Sequence, residues 1–535
     1  METTQRPADD LLDVARALLL LQGSILVATT IEAVAWAIFF PGASGSPAVM
    51  SGAAAVAILV GRTRLRADRR LARRIVFLVE GVILLSATIN VAIELALAHG
   101  LPPIVAVLSQ IVLPVSAITL LRRSTRHPHT ATTTGAGILQ GAFVNLPLAH
   151  IGHVAGGNPL YQIGAEHIAG LIALGALPIV WWFFLRRGVP ALAPIEWLLV
   201  GLLGASAAIH AGLAIVNDHG FILAVLFAID AALLAVVARR VLRRSPPGRL
   251  GVAVLIGSIV AYWGSAVSGE APDQVGLATK LCEILALGIV LRQTVPATSF
   301  WGAARSLGRG LAVVLLVVGT GATSWVGAFR ASAAEPGALS GHRIHSGSVA
   351  PPGMVMPAVP ARPATAAEQV AADDLILAAR KALARYADIS VAAADGYNVK
   401  GIAGMDFHAS NPANENDGRI LDVAHPETLV YAVAPNGQPV LMGAMFLMPK
   451  IGEPGPTIGG PLTVWHAHQH VCISLTPPGL AGLLSPLGMC PVGTIDLALT
   501  AEMIHIWIVP GAPEPFGDLD DAWKRAYLAS TVTRP

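Results

Sequence analysis

Residues 311–329 read LAVVLLVVGTGATSWVGAF, and they close the apolar part of the chain. A run of this length without a charge is long enough to cross a hydrocarbon core, which takes about 17–25 residues. Arg305 and Arg309 precede it, and Ala331-Ser332-Ala333-Ala334 follows Arg330 in the manner of a signal-peptidase site, although an uncut anchor is the expectation. The run divides the protein into a membrane part, residues 1–330, and an exported part.

Composition agrees with that division. With 54% hydrophobic residues, 13% charged residues and a mean hydropathy of +0.64, the chain is too apolar for a water-soluble protein of its size. Residues 1–330 carry 24 Lys and Arg against 15 Asp and Glu, whereas residues 331–535 carry 11 against 18. The lipid bilayer is therefore the partner of the first part, and an acidic second part excludes nucleic acid as its partner.

Upstream of 311–329, apolar segments recur at 16–40, 46–61, 75–98, 101–121, 138–155, 163–185, 195–216, 221–238, 251–267 and 275–291, which predicts a polytopic helical bundle of about eleven spans. Alternate connections are rich in Arg, and those between them carry no Lys or Arg. All the basic connections fall on one side only if 138–155 spans. The positive-inside rule then puts the protein in the plasma membrane with a cytoplasmic N-terminus and an extracytoplasmic C-terminal domain.

Ionisable groups inside spans are expensive and mark candidate sites. Glu32, Glu80, Glu94, Asp230, Lys280 and Glu283 are of this kind, and Lys280 and Glu283 are spaced to neutralise each other on one helix. His150, His153, Glu166, His167 and His210 form a second set, which the topology places near the outer boundary. Their chemistry fits interhelical hydrogen bonding, a proton or quinol site, or a haem or metal held between helices.

After a Pro-, Ala-, Gly- and Ser-rich linker at 331–364, residues 365–535 read as a small α+β domain. Thr365 and Glu368 are spaced as a capping box for a helix over 365–394. Strands are expected at 428–434 and 439–448, joined by a turn at Asn436-Gly437, and at 463–475, 494–499 and 501–510. Met442, Met445 and Met448 are three apart, which suits core packing better than one face of a strand.

The densest group of metal-ligand side chains is WHAHQHVC at 465–472. On a strand, alternation puts His466, His468, His470 and Cys472 on one face. Imidazoles two apart on a strand reach a single zinc or copper ion. His466 and His468 are thus candidate metal ligands, with His408 and His505 as the third and fourth. Glu427, Glu502 and His470 are candidates for supporting positions around them. Cys472 and Cys490 enclose a Pro- and Gly-containing loop and form a disulfide if the domain meets an oxidising compartment.

Several pieces of this domain resemble an uncharacterised family of bacterial extracytoplasmic domains. They are Ala394-Asp395-Gly396-Tyr397, Gly404-Met405-Asp406-Phe407-His408 with Asn411-Pro412, Pro426-Glu427-Thr428-Leu429-Val430-Tyr431, Trp465-His466-Ala467-His468 with Cys472, and Glu502-Met503-Ile504-His505-Ile506-Trp507. The resemblance implies one domain over most of 373–518 and brings no reaction with it. Gly460 followed by His466-Ala467-His468 also looks like the opening of the first cupin motif, without that motif's Glu or a second motif.

Three functions fit these residues. The first is an exported transition-metal-binding domain for metal capture, sensing or delivery at the outer face. The second is a membrane-tethered metal-dependent hydrolase or oxidoreductase. The third is an interaction module without metal. No Ser nucleophile elbow, HExxH or paired CxxC occurs, so metal-assisted chemistry is the enzymatic class the residues support.

Overall fold

The computed structural model describes residues 7–39, 45–65, 70–96, 104–124, 163–185, 192–216, 220–268, 270, 272–292, 300–333, 354–355, 362–402, 404–475, 478–483, 490–517, 519 and 521–533. Among them, nine helices are long and apolar enough to cross a membrane. These are α1 (Pro7–Phe39), α2 (Ser46–Arg64), α3 (Arg70–Ala96), α4 (Val105–Arg123), α6 (Pro194–Val216), α7 (Phe221–Leu242), α8 (Gly248–Ser268), α9 (Gln274–Arg292) and α10 (Phe300–Ala333). The helix α5 (Ile168–Leu185) is also apolar. The span expected at 138–155 lies outside the described residues, as do His150 and His153.

Packing follows from how apolar residues are spread around each helix. On α7, Phe221, Ile222, Leu226 and Ile229 remain exposed, as do Leu71, Leu78 and Leu85 on α3, and such surfaces suit lipid. By contrast α9 is buried almost all round, packed against α1, α6, α8 and α10. A helix buried on every side sets its polar residues against other helices. In α4 the hydrogen-bond ladder widens to a π-turn at Leu108–Val112, just ahead of Pro114, which lacks the N–H to continue it.

The bundle has two chemically distinct ends. At one, Arg16 and Arg62 each donate to the other's backbone carbonyl, Arg122 lies over the Phe77 ring, and Arg292 pairs with Asp13. The other end carries Trp36, Met50, Ser51 and Asn90, and the C-terminal domain rests on it. Here the Val492 N–H donates to Ser51 Oγ at 2.6 Å, the Asp496 N–H faces Asn90 Oδ1 at 3.3 Å, and Gly482 packs on the Trp36 ring.

The C-terminal domain begins at α11 (Ala366–Leu383), where Thr365 and Glu368 make both hydrogen bonds of the capping box. A short helix, α12 (Ile389–Ala394), follows. Strands β2 (Phe407–Ser410), β3 (Thr428–Val433), β4 (Pro439–Leu447) and β8 (Met503–Trp507) form an antiparallel sheet in that order, with Asn436-Gly437 turning β3 into β4. Its two faces bury different cores. Leu429, Tyr431, Ala444, Phe446, Ile504 and Ile506 pack under α11, while Val430, Met442 and Trp507 pack with Leu528 of α13 (Asp521–Thr533).

The second sheet is built on β5 (Ala467–Leu475), which pairs with β1 (Met354–Val355), β6 (Pro478–Leu483) and β7 (Thr494–Leu499). Part of the segment read as linker is thus a strand, since Met354 and Val355 pair with His468 and Ala467. A bridge between His466 and Met503 joins the sheets, and a disulfide links Cys472 to Cys490.

Candidate metal centre

His408 lies on β2 and His505 on β8, strands separated by β3 and β4, yet their Nε2 atoms stand 3.3 Å apart. Two features curl the sheet enough for this. The register shifts at a bulge between Val430 and Tyr431, which bends a strand. Across from it Gly443 lets β8 approach so closely that a Cβ there would sit 2.3 Å from the Ile506 carbonyl oxygen. His408 and His505 then meet over the concave face.

His466 and His468 enter from the other sheet. The His466 ring stacks on His505 with centroids 5.6 Å apart, and His468 stands edge-on to His466 at 5.3 Å. His408 and His505 have the same 5.6 Å ring spacing, and the Trp507 ring stacks parallel to His505 at 5.2 Å. The four histidines that the sequence singles out therefore form one continuous group. His466 and His505 are buried, and His408 is exposed to solvent.

At a Zn–N distance of 2.0–2.1 Å, two ligands of a tetrahedral site are roughly 3.3–3.4 Å apart and their ring centroids roughly 5.2 Å. The His408–His505 nitrogen pair, which is also within hydrogen-bond reach, meets the first figure and the ring spacings lie a little above the second, while among the described residues no three ligand nitrogens of the group come within 4.8 Å of one another. His408 Nδ1 donates to the Asp406 carbonyl at 3.1 Å, which fixes the tautomer and leaves the Nε2 lone pair aimed at His505. Asp406 is itself held by Lys524 at 2.6 Å.

The supporting residues expected from sequence take other positions. His470 is buried with φ +54°, and its Nδ1 lies 3.1 Å from Asp496 Oδ2, so a carboxylate on β7 holds it. Glu427 falls in step with Leu429 and Tyr431, and Glu502 with Ile504 and Ile506. Both belong to the helix-covered face, opposite His408 and His505. Glu502 accepts from the Gly455 N–H at 2.9 Å and so pins a loop. Burial pushes the Glu427 carboxyl up from 4.5 to about 7, with Asp417 and Glu415 adding to the effect, and its Oε2 meets no hydrogen-bond donor among the described residues.

Between the helices, the outer polar set resolves into two groups. Among the described residues these are the groups in which three ligand atoms lie within 4.8 Å of one another. His167 Nδ1 is 2.8 Å from Asp273 Oδ2 and 3.7 Å from Glu166. His210 instead joins Asp230 and Glu283, with Lys280 bonded to both Glu283 oxygens at 3.0 Å. Asp273 falls between the apolar segments 251–267 and 275–291, so hydropathy does not mark it, although its spacing from Lys280 and Glu283 puts the three on one helix face. Glu80 is fully buried and accepts from Gln22 at 2.8 Å.

Compared with known proteins, the chain matches no family model, no curated protein and no solved structure.

Proposed function

We propose that the protein is a multi-pass membrane protein whose C-terminal domain captures a transition metal, zinc or copper, on the extracytoplasmic side. The ligands are His408, His466, His468 and His505. The observation that carries this reading is the 3.3 Å approach of His408 Nε2 to His505 Nε2, with the Asp406 carbonyl holding the His408 lone pair toward it. Imidazole ligands suit both ions, and an exposed His408 gives an ion a way in from solvent.

The sidedness rests on the two ends of the bundle. The C-terminal domain sits on the Trp36 end, opposite the arginines, and the positive-inside rule makes the arginine end cytoplasmic. Near Arg122 helix α4 ends at the arginine end, whereas α5 starts beside His167 and Asp273 at the Trp36 end. The span expected from the sequence at 138–155 is consistent with these two positions and would bring the count to eleven.

The test is the metal content of the full-length protein, purified without chelator. About one zinc or copper ion per chain is expected, with His408→Ala/His505→Ala retaining the fold and losing the ion. Equal metal content in the two proteins would refute the assignment.

A further inference from the structure

Helix α9 carries a second line of chemistry, independent of the histidine group. Asp273, Gly276, Lys280 and Glu283 are spaced by three, four and three residues, so they share one helix face. At 1.5 Å per residue this face runs about 15 Å inward from the Trp36 end. At the opposite end of the same helix Arg292 pairs with Asp13, and residues 284–291 between carry no ionisable group. The polar face thus starts at the end that bears the C-terminal domain and stops halfway through the bundle.

At its inner limit Lys280, Glu283, His210, Ser206 and Ser258 form one hydrogen-bonded cluster. Lys280 Nζ donates to both Glu283 oxygens at 3.0 Å and to Ser258 Oγ at 2.6 Å, and it approaches His210 Nε2 at 3.3 Å. Ser206 Oγ donates to Glu283 Oε1 at 2.6 Å. His210 Nδ1 donates to the Ser206 carbonyl at 2.8 Å, so in the neutral ring the Nε2 carries the lone pair. That lone pair accepts from Lys280, and Asp230 Oδ2 waits 3.4 Å away on the same nitrogen. The Lys280 ammonium already serves Glu283 as counter-ion, which sets this group apart from a metal site.

Counting charge shows what the centre lacks. One ammonium, two carboxylates and a neutral imidazole leave a net charge of −1 inside the bundle, where unbalanced charge is costly. One proton on the His210–Asp230 pair brings the sum to zero. Once Nε2 is protonated it no longer accepts from Lys280 and donates to Asp230 instead.

We propose that the polar face of α9 is a proton-loading path, entered at Asp273 and His167 on the side of the C-terminal domain and ending at one proton-binding site shared by His210 and Asp230. The titratable groups that reach this face are His210 from α6, Asp230 from α7, Tyr262 from α8, and Glu166 and His167 from the turn before α5. From α10 come the hydroxyls of Thr320 and Ser324, bonded to Trp263 and Tyr262; Asp13 of α1 is engaged at the far end by Arg292, and no such group of α4 joins the hydrogen bonds described at this centre. Gly276 lies on this face between the Asp273 end and Lys280. A Cβ there would lie 3.1 Å from Asp273 Oδ1, 3.4 Å from the Tyr262 ring and 3.9 Å from His167 Cε1.

The test uses full-length protein in lipid vesicles, sorted by protease access to the C-terminal domain, with a pH-indicator dye on one side. Acidifying the domain side should load about one proton more in wild type than in Asp230→Asn or His210→Gln. Loading from the opposite face should be at least tenfold slower, and Gly276→Leu should slow loading from the domain side without changing the number of protons. Equal proton counts in wild type and both variants would overturn the proposal. So would equal loading rates from both faces of wild type, a result that needs no variant to fold.

Discussion

His408 and His505 are 97 residues apart in sequence and lie on strands separated by two others, yet their Nε2 atoms are 3.3 Å apart. The approach depends on the curl of the sheet, and Gly443 permits that curl. We expect Gly443→Val to force β4 away from β8, because its Cβ would meet the Ile506 carbonyl oxygen at 2.3 Å. Stability should drop by about 2–3 kcal/mol, as for other overpacked core positions. Thermal melting and metal titration on the same sample would show both quantities falling together.

Glu427 offers a pH test on the other face of the same sheet. Its carboxyl is raised from 4.5 to about 7 in the folded domain, chiefly by burial, so the folded state holds a proton that the unfolded state has released. Stability therefore falls as pH rises from about 4.5 to about 7. Glu427→Gln should remove that slope and stabilise the domain at pH 8 by about 2 kcal/mol, allowing for solvent screening. A melting curve with the same pH slope in both proteins would show that the group does not titrate in this window.

The disulfide joins Cys472 to Cys490, 18 positions apart in sequence. Loop-closure entropy gives it about 3 kcal/mol. Replacing both cysteines by serine should lower the melting temperature of the oxidised protein to that of the reduced one. The same substitution should leave the histidine group intact, because β5 is also held by β7 and by the His466–Met503 bridge.

Docking of the second sheet on the bundle gives a test of sidedness. Trp36→Ala together with Asn90→Ala removes the ring under Gly482 and the acceptor facing the Asp496 N–H. The C-terminal domain should then be cleaved faster by protease added outside cells while remaining folded. Reporters fused after Arg74, Arg126 and Arg244 should report cytoplasm, and those after Gly157 and Ala334 the exterior. A cytoplasmic signal at Gly157 would remove the crossing at 138–155.

The sequence shows the membrane helices because apolar length is a local property. Likewise Asn436-Gly437 and the Thr365–Glu368 cap are visible in a few adjacent residues. His466 and His468 are legible as a pair by alternation, whereas their meeting with His505 depends on a bridge between two sheets, and that of His408 with His505 on a bulge and one glycine. His470 looked like one more member of the row, yet its positive φ and its bond to Asp496 depend on β7, 26 residues away. Strand β1 escaped notice because two residues in a Pro-rich stretch carry no periodicity. Asp273 and His210 gained their roles from helices that pack side by side, which the hydropathy of each helix does not encode.

Metal binding by the histidine group is tested most directly by X-ray absorption of the full-length protein loaded with one equivalent of zinc or copper. We expect a first shell made of imidazole nitrogens at about 2.0–2.1 Å for zinc, which loses imidazole scattering in His466→Ala/His468→Ala and again in His408→Ala/His505→Ala. Affinity should also fall as pH drops through about 6.5, where protonated imidazole no longer binds. A spectrum and affinity identical in wild type and both double variants would mean that the ion binds elsewhere, and the four histidines would have to be read as a stacked polar seam between two sheets.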